Sequence, residues 1–366
     1  MKTTKISNFF HDKPLFGMEI GHGSLKVMQV SQRPDKEAGG KSFRPRLIGY
    51  GFAAFDTESQ KDGVITQPAI VAKAARELFE KGLVGTITTK RVAIAIPTYR
   101  AYTRSLSLPK LQPRELEAAV QLEAEQYIPL SLEELYLDYE IIKETKDSLE
   151  LFVVAVPRTI VDSYLELAAI LGLEVVLIEP TLNSSGRLFS LDDQSDVPAI
   201  IINLGSVSSD ISIFDKHILV TGTVKGGGED FTRSIKDKLG VSLKEAAAIK
   251  THDGLSMGKH QADIRRAMEP ILQEIVKEIR RMVRYYEDRY GSERPIGQVV
   301  TLGGGANMPG LDDYLVETMR LASRHSDPWQ YFDYAGLPAP AIADRPMYAT
   351  AAGLSLTVPT EVFRHD

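Results

Sequence analysis

The sequence has no cysteine. That excludes disulfides, thiolate zinc sites and cysteine nucleophiles, and it fits a reducing compartment. It also lacks any apolar run near the roughly 18 residues that a membrane-spanning helix needs. The segment Met1–Pro14 mixes charges with Phe9 and Phe10 and has no signal-peptide core. The expectation is a cytoplasmic protein, with any membrane association made through a partner. There is no basic excess: 43 Lys and Arg stand against 49 Asp and Glu, a net charge of −6. That balance argues against nucleic acid as the main partner and against a basic membrane patch. Two common phosphate motifs are missing as well. No G-x-x-x-x-G-K-[ST] occurs, and no G-x-G-x-x-G leads from a strand into a helix.

What is present fits a soluble globular protein, with 43% apolar and 25% charged residues. At 366 residues the chain exceeds one ordinary core, so two domains are expected. One pattern occurs twice. The first copy is Glu19-Ile-Gly-His-Gly-Ser24-Leu-Lys-Val27, the second Asn203-Leu-Gly-Ser-Val-Ser208-Ser-Asp-Ile211. Gly21 aligns with Gly205, Ser24 with Ser208 and Val27 with Ile211, at one fixed offset. Each copy reads as an apolar strand, a small turn and an alternating strand. Such a hairpin tip, here Gly21, His22, Gly23 and Ser24 or Gly205, Ser206, Val207 and Ser208, leaves backbone N–H groups and hydroxyls free to face an anion.

The rest of the chain reads in order as follows. Residues 1–14 form a loose arm, and strands span about 17–30 and 45–56 around a polar turn at 33–42. A helix covers 67–83, with strands at 91–96 and 99–108. Pro113 opens a helix at its first position, where the missing N–H costs nothing, and that helix ends before Pro129. Strands at 135–142 and 151–156, a helix at 159–171 closed by Gly172 and a strand at 174–178 follow. Residues 91–176 thus read as a compact β-β-α-β-β-α insert. The second half brings a hairpin over 200–214, a strand over 217–224 and helices over 229–239 and 243–250. The longest helix, 263–290, repeats Ile264, Met268, Ile271, Ile275, Ile279, Met282 and Tyr286 at spacings of three and four. Pro270 should kink it or mark a fresh start. A strand at 298–302, Gly303-Gly304-Gly305, a helix at 311–321, an irregular stretch at 326–345 and a small-residue helix at 348–356 complete the chain.

Two hairpin phosphate loops and a later triple glycine define a nucleotide cleft between halves. The helix after Gly305 would add amide donors and a favourable dipole, and Gly227 and Gly228 a close approach near the sugar. Lys26 reads either as a phosphate contact or as a solvated strand residue. His22 reads as a donor or an exposed tip residue, since no second ligand stands at metal spacing.

Here the sequence resembles a known family. The residues are Gly17-Met-Glu-Ile-Gly21 with Ser24 and Lys26; Val92-Ala-Ile-Ala-Ile-Pro97; and Glu123-Ala-Glu-Gln-Tyr-Ile-Pro129 with Asp138-Tyr139. Glu179-Pro180, Gly227-Gly228 with Phe231-Thr232, Leu302 to Asn307 with Pro309-Gly-Leu311, and Ala352-Gly353-Leu354 join them. Over residues 15–357 they resemble the actin-like ATPase superfamily and, within it, the type IV pilus assembly PilM family. The Glu-Gln-Tyr-Ile-Pro block carries most of that distinction.

The resemblance implies an α/β, actin-like (ribonuclease H-like) two-domain fold with four subdomains and an FtsA/PilM-type insert. The expected divisions are 15–90 with 177–197 and 343–358; 91–176; 198–228 with 298–342; and 229–297. It implies ATP and Mg²⁺ in the cleft and an adaptor role at the inner-membrane platform. The partner would be the N-terminal cytoplasmic peptide of a PilN-like protein, with pilus motor or platform proteins as further partners. Homodimers or filaments stay open. The superfamily's magnesium-holding acids fall on Glu19 and Asn203; asparagine lacks the charge that hard Mg²⁺ prefers. Glu179 matches a water-positioning carboxylate. Lys250 and Arg281 align with the adenosine side, each with a plain helix-surface alternative, and Asn307 follows the triple glycine. Arg104, Glu123 and Tyr127 are the partner-groove candidates. Slow or absent hydrolysis is expected; an active ATPase, a small-molecule kinase or an FtsA-like filament protein are the alternatives.

Overall fold

The computed structural model describes residues 13–31, 44–192, 196–258, 260–291, 293–334 and 336–357. The expected arm up to residue 12, the turn at 33–42 and the C-terminal tail from 358 lie outside the described residues. The chain opens with β1 (Phe16–Ile20), β2 (Ser24–Ser31) and β3 (Arg46–Ala54), then a minor ribbon, β4 (Gln60–Lys61) and β5 (Val64–Ile65). Helix α1 (Pro68–Glu77), β6 (Leu83–Gly85) and β7 (Arg91–Ile96) follow, then β8 (Tyr102–Pro109), α2 (Pro113–Tyr127), β9 (Leu135–Glu144) and β10 (Ser148–Pro157). Next come α3 (Arg158–Leu171), β11 (Glu174–Pro180), α4 (Thr181–Phe189), β12 (Ala199–Leu204), β13 (Ser208–Asp215) and β14 (His217–Lys225). The chain continues through α5 (Gly228–Leu239), α6 (Leu243–His252), α7 (Gln261–Tyr290), β15 (Gln298–Leu302), α8 (Leu311–Met319), β16 (Ala322–His325) and α9 (Ala349–Ser355).

Two sheets repeat one plan. The first runs β11-β7-β1-β2-β3-β6, the second β16-β15-β12-β13-β14. In each, a hairpin is flanked by a parallel strand on one side and an antiparallel strand on the other. The registers match as well. Glu19 lies opposite Lys26 in the first hairpin and Asn203 opposite Asp210 in the second. The central strands are buried on both faces, which is why β7 and β12 read as continuous apolar runs rather than as alternation.

Between the sheets, α4 and α9 cross so closely that a Cβ on Gly353 would lie 1.8 Å from the Ser184 carbonyl oxygen. Only a residue without a side chain permits that approach. The core here joins both halves: Met28, Leu47 and Tyr50 from the first, Ile201, Phe214 and Leu302 from the second, with Trp329 and Tyr348 between them. Each such large side chain, fully buried, contributes about 1.5–3 kcal/mol. Helices α5, α6 and α7 share another core with the second sheet.

The expected 91–176 unit divides differently. Strand β7 pairs with β1 and β11 inside the first sheet, and α3 packs with α1 in that sheet's core. What stands apart is β8-α2-β9-β10, a three-stranded sheet ordered β8-β10-β9. Leu149, Leu151 and Val153 of β10 face Leu116 and Val120 of α2, while Phe152 faces the central core. A buried strand and an amphipathic helix look alike in sequence whichever sheet they join. Five elements went unread: α4, disguised by its serines, and the short strands β4, β5, β6 and β16. Helix α7 runs through Pro270 as a single helix, so the expected fresh start is absent. Its buried stripe continues on both sides of the proline.

Candidate functional site

One large cavity, about 900 Å³, lies between the two sheets. Clefts of about 300–1,000 Å³ are the usual size for small-molecule sites. Both hairpin tips reach it. The two tips close alike: the Gly21 N–H donates to the Ser24 carbonyl at 2.8 Å, and the Gly205 N–H to the Ser208 carbonyl at 3.0 Å. Gly21, His22, Ser24 and Lys26 line the cavity from one side, and Gly205, Ser206, Val207 and Ser208 from the other. Gly303, Gly304 and Gly305 join them where β15 ends. Gly228 and Lys250 close the end formed by α5 and α6, and Glu19 and Asn203 line the cavity as well.

Charge is arranged unevenly across these walls. Lys26 Nζ lies 3.3 Å from Glu19 Oε1, and both side chains are largely buried. Glu19 Oε2 is buried with no partner among the described residues. An orphaned carboxylate oxygen in a cavity is what a hydrated cation or its water would satisfy. Asn203 adds a neutral carbonyl. No cluster of three or more His, Asp or Glu residues suited to a metal occurs among the described residues. Glu19 and Asn203 together would offer a hydrated Mg²⁺ one free carboxylate oxygen and one neutral carbonyl. His22 Nε2 stands 3.8 Å from Glu229 Oε1, the two halves meeting across the cleft. Lys250 Nζ donates to the Gly228 carbonyl at 2.6 Å and to Thr232 Oγ1 at 2.8 Å. Burial lowers its pKa, and the nearby Glu229 charge works against that shift.

Several expected residues are placed elsewhere. Glu179 does not line the cavity; it forms a two-pronged pair with Arg187 at 2.7 and 2.9 Å. A carboxylate whose oxygens are both held by a guanidinium is poorly suited to orient water. Arg281 pairs with Glu278 on the outer side of α7, away from the cavity. Asn307 donates its amide to the Ala343 carbonyl. Helix α8 begins only at Leu311, after a turn following the triple glycine, so its N-terminus is not the amide source expected. Gly227 is packed tightly against the second hairpin: a Cβ there would lie 2.5 Å from the Gly205 carbonyl oxygen. Gly23 is at the tip but is not among the lining residues, and its carbonyl accepts the Phe55 N–H at 3.0 Å.

The partner-groove candidates do come together. Arg104 stacks over the Tyr127 ring at 4.8 Å, and the Tyr127 hydroxyl is buried with no partner among the described residues. Burial raises the Tyr127 pKa, Arg104 lowers it and Glu123 raises it, so all three share one neighbourhood.

Among the charged residues that line the cavity, Asp210, Glu229, Arg233 and Lys244 went unread. Asp210 lines the cavity and is fully buried, and burial pushes its pKa to about 7, against the pull of a hydrogen bond from Thr223. That bond measures 2.7 Å. The repeat itself carried the signal: Asp210 follows Asn203 at the interval by which Lys26 follows Glu19.

Two sheets of one plan, joined by a crossing helix pair and closed around a cleft by two hairpin tips, define an actin-like fold. The chain belongs to the type IV pilus assembly protein PilM family, whose model matches residues 17–358. Solved structures agree in fold. A PilM-PilN type IV pilus biogenesis complex superposes with a TM-score of 0.80 at 23% identity, covering 94% of this chain and 98% of that one. The ethanolamine utilization protein EutJ from Carboxydothermus hydrogenoformans matches with a TM-score of 0.52 at 15% identity, covering 94% and 91%. MreB 5 of Spiroplasma citri, bound to AMPPNP, matches with a TM-score of 0.51 at 13% identity, covering 93% and 95%. Among the described residues no helix is long and apolar enough to cross a membrane.

Proposed function

We propose that this protein is a nucleotide-set adaptor of the type IV pilus inner-membrane platform. It works in the cytoplasm, holds ATP with Mg²⁺ in the central cleft, and takes the N-terminal cytoplasmic peptide of a PilN-like protein beside Arg104, Glu123 and Tyr127. The observation that carries the reading is the pair of matched hairpin tips facing one cavity with Gly303–Gly305 at its end. Backbone N–H groups at such tips suit a triphosphate. A solved relative bound to AMPPNP supports the nucleotide, and a solved PilM-PilN complex supports the partner.

Glu19 and the side-chain carbonyl of Asn203 would hold the magnesium, which supplies charge neutralisation on the phosphates. Lys26 pairs with one Glu19 oxygen and offsets the carboxylate's charge, and Asn203 carries none, so the metal dependence of binding is modest. Glu179 is engaged elsewhere, which favours binding over turnover. Asp210 supports a second reading, a slow ATPase, because a buried carboxyl titrating near neutrality is suited to accept a proton.

Calorimetry of the purified protein with ATP, with and without Mg²⁺, tests the first reading. A pull-down with the cytoplasmic tail of the neighbouring platform protein, with and without ATP, tests the partner. Absence of both interactions rejects the adaptor. Steady turnover abolished by Asp210→Asn favours the enzyme.

A further inference from the structure

The insert touches more than the first sheet. Its outer strand β8 lies edge to edge with β14, the outer strand of the second sheet, yet the two belong to separate sheets. Side chains make the seam instead of a backbone ladder. The Thr103 and Thr221 hydroxyls bond to each other, and Ser105 Oγ donates to the Leu219 carbonyl at 2.7 Å. Arg289 at the end of α7 approaches Glu150 of β10 at 3.8 Å.

Strand β14 also contacts a residue of the cleft wall. Thr223, two residues beyond Thr221 and therefore on the same face, donates to Asp210 in the cavity wall. Asp210 and Thr223 are direct cross-strand partners. Between the two threonines, Gly222 is pressed against α7, where a Cβ would lie 2.3 Å from Glu278 Oε1. A strand backed this tightly shifts as a unit, since close-packed contacts do not deform gradually. One short element thus holds a cleft acid at one position and the insert at the next.

We infer that β14 couples the nucleotide cleft to the inserted subdomain, so that a triphosphate beside Asp210 alters how firmly β8 and the rest of the insert are held. The inference rests on the nucleotide reading above and names its route to the partner side. Phosphate charge next to Asp210 disturbs the Asp210–Thr223 bond, and the displacement reaches Thr103 through Thr221. The same strand carries the reverse effect: whatever steadies the insert changes nucleotide affinity by the same factor.

Amide hydrogen exchange on the full chain, with ATP and Mg²⁺ as the probe, tests this in the wild type, Thr221→Val and Thr103→Val. In the wild type, ATP should change exchange across 102–109 and 148–157 by about threefold or more, within the range of ordinary coupling. The variants should still bind ATP, with affinity shifted by no more than the coupling factor of about threefold, while losing most of that response. If either variant fails to fold, Ser105→Ala removes one hydroxyl from the same seam and must weaken the response. An insert indifferent to bound ATP, or variants that respond like wild type, would overturn the inference. Failure of the wild type to bind ATP in calorimetry would defeat the nucleotide reading itself, and this inference with it.

Discussion

Asp210→Asn should make the protein more stable at pH 8 and leave it nearly unchanged at pH 4. Burial raises the Asp210 pKa from 3.8 to about 7, and the Thr223 bond only partly opposes that. In the unfolded chain the same carboxyl ionises near pH 3.9. The folded protein therefore binds the extra proton between those two values. The group's contribution is whole below about pH 4, is lost as pH rises towards about 7, and stays lost above it. About three pH units at about 1.4 kcal/mol each amount to about 4 kcal/mol. Asparagine keeps an acceptor for Thr223 and never ionises, so it should abolish that loss. Urea unfolding can be followed through Trp329, the single tryptophan, buried in the core that joins both halves. With a urea dependence of about 3 kcal/mol per molar, the variant's midpoint should exceed wild type by about 1 M at pH 8 and match it at pH 4. Equal differences at both pH values, or a less stable variant at pH 8, would refute the reasoning.

Other expectations follow from the same geometry. A Cβ on Gly304 meets nothing within 4 Å, so Gly304→Leu should fold normally yet weaken ATP binding by tenfold or more, about 1.4 kcal/mol; unchanged calorimetric affinity would contradict the cleft assignment. Glu179→Gln leaves Arg187 half-satisfied and, with Arg187 a quarter exposed, should cost about 2 kcal/mol of stability while sparing ATP affinity. Full stability with lost turnover would instead return Glu179 to catalysis. Gly353→Ala forces α9 away from α4 and should cost about 3 kcal/mol or more, read as a lowered urea midpoint or as insoluble protein; wild-type stability would mean the helix crossing is looser than described.

The two hairpins were legible because their signal is local. An apolar strand, a small-residue turn and an alternating strand lie within a dozen residues, and their repetition at one offset marked the two halves. Pro113, Gly172 and the stripe on α7 likewise announced their helices through backbone preference and 3.6-residue spacing. The serine-rich α4 hid because its small polar residues imitate a loop; only burial against α9 makes it a helix worth keeping.

The sequence by itself determined where the phosphate-type turns stand, which stretches are helix or strand, and the likeness to one family. Tertiary structure alone decided that β7 and α3 belong to the first sheet's body and not to the insert. It decided that Glu179 is claimed by Arg187, and that Asp210 sits buried on a cleft wall beneath Thr223. Local pattern reflects a residue's neighbours within a turn or two. A carboxylate's charge and role depend on groups brought beside it from distant parts of the chain, and only the folded arrangement supplies them.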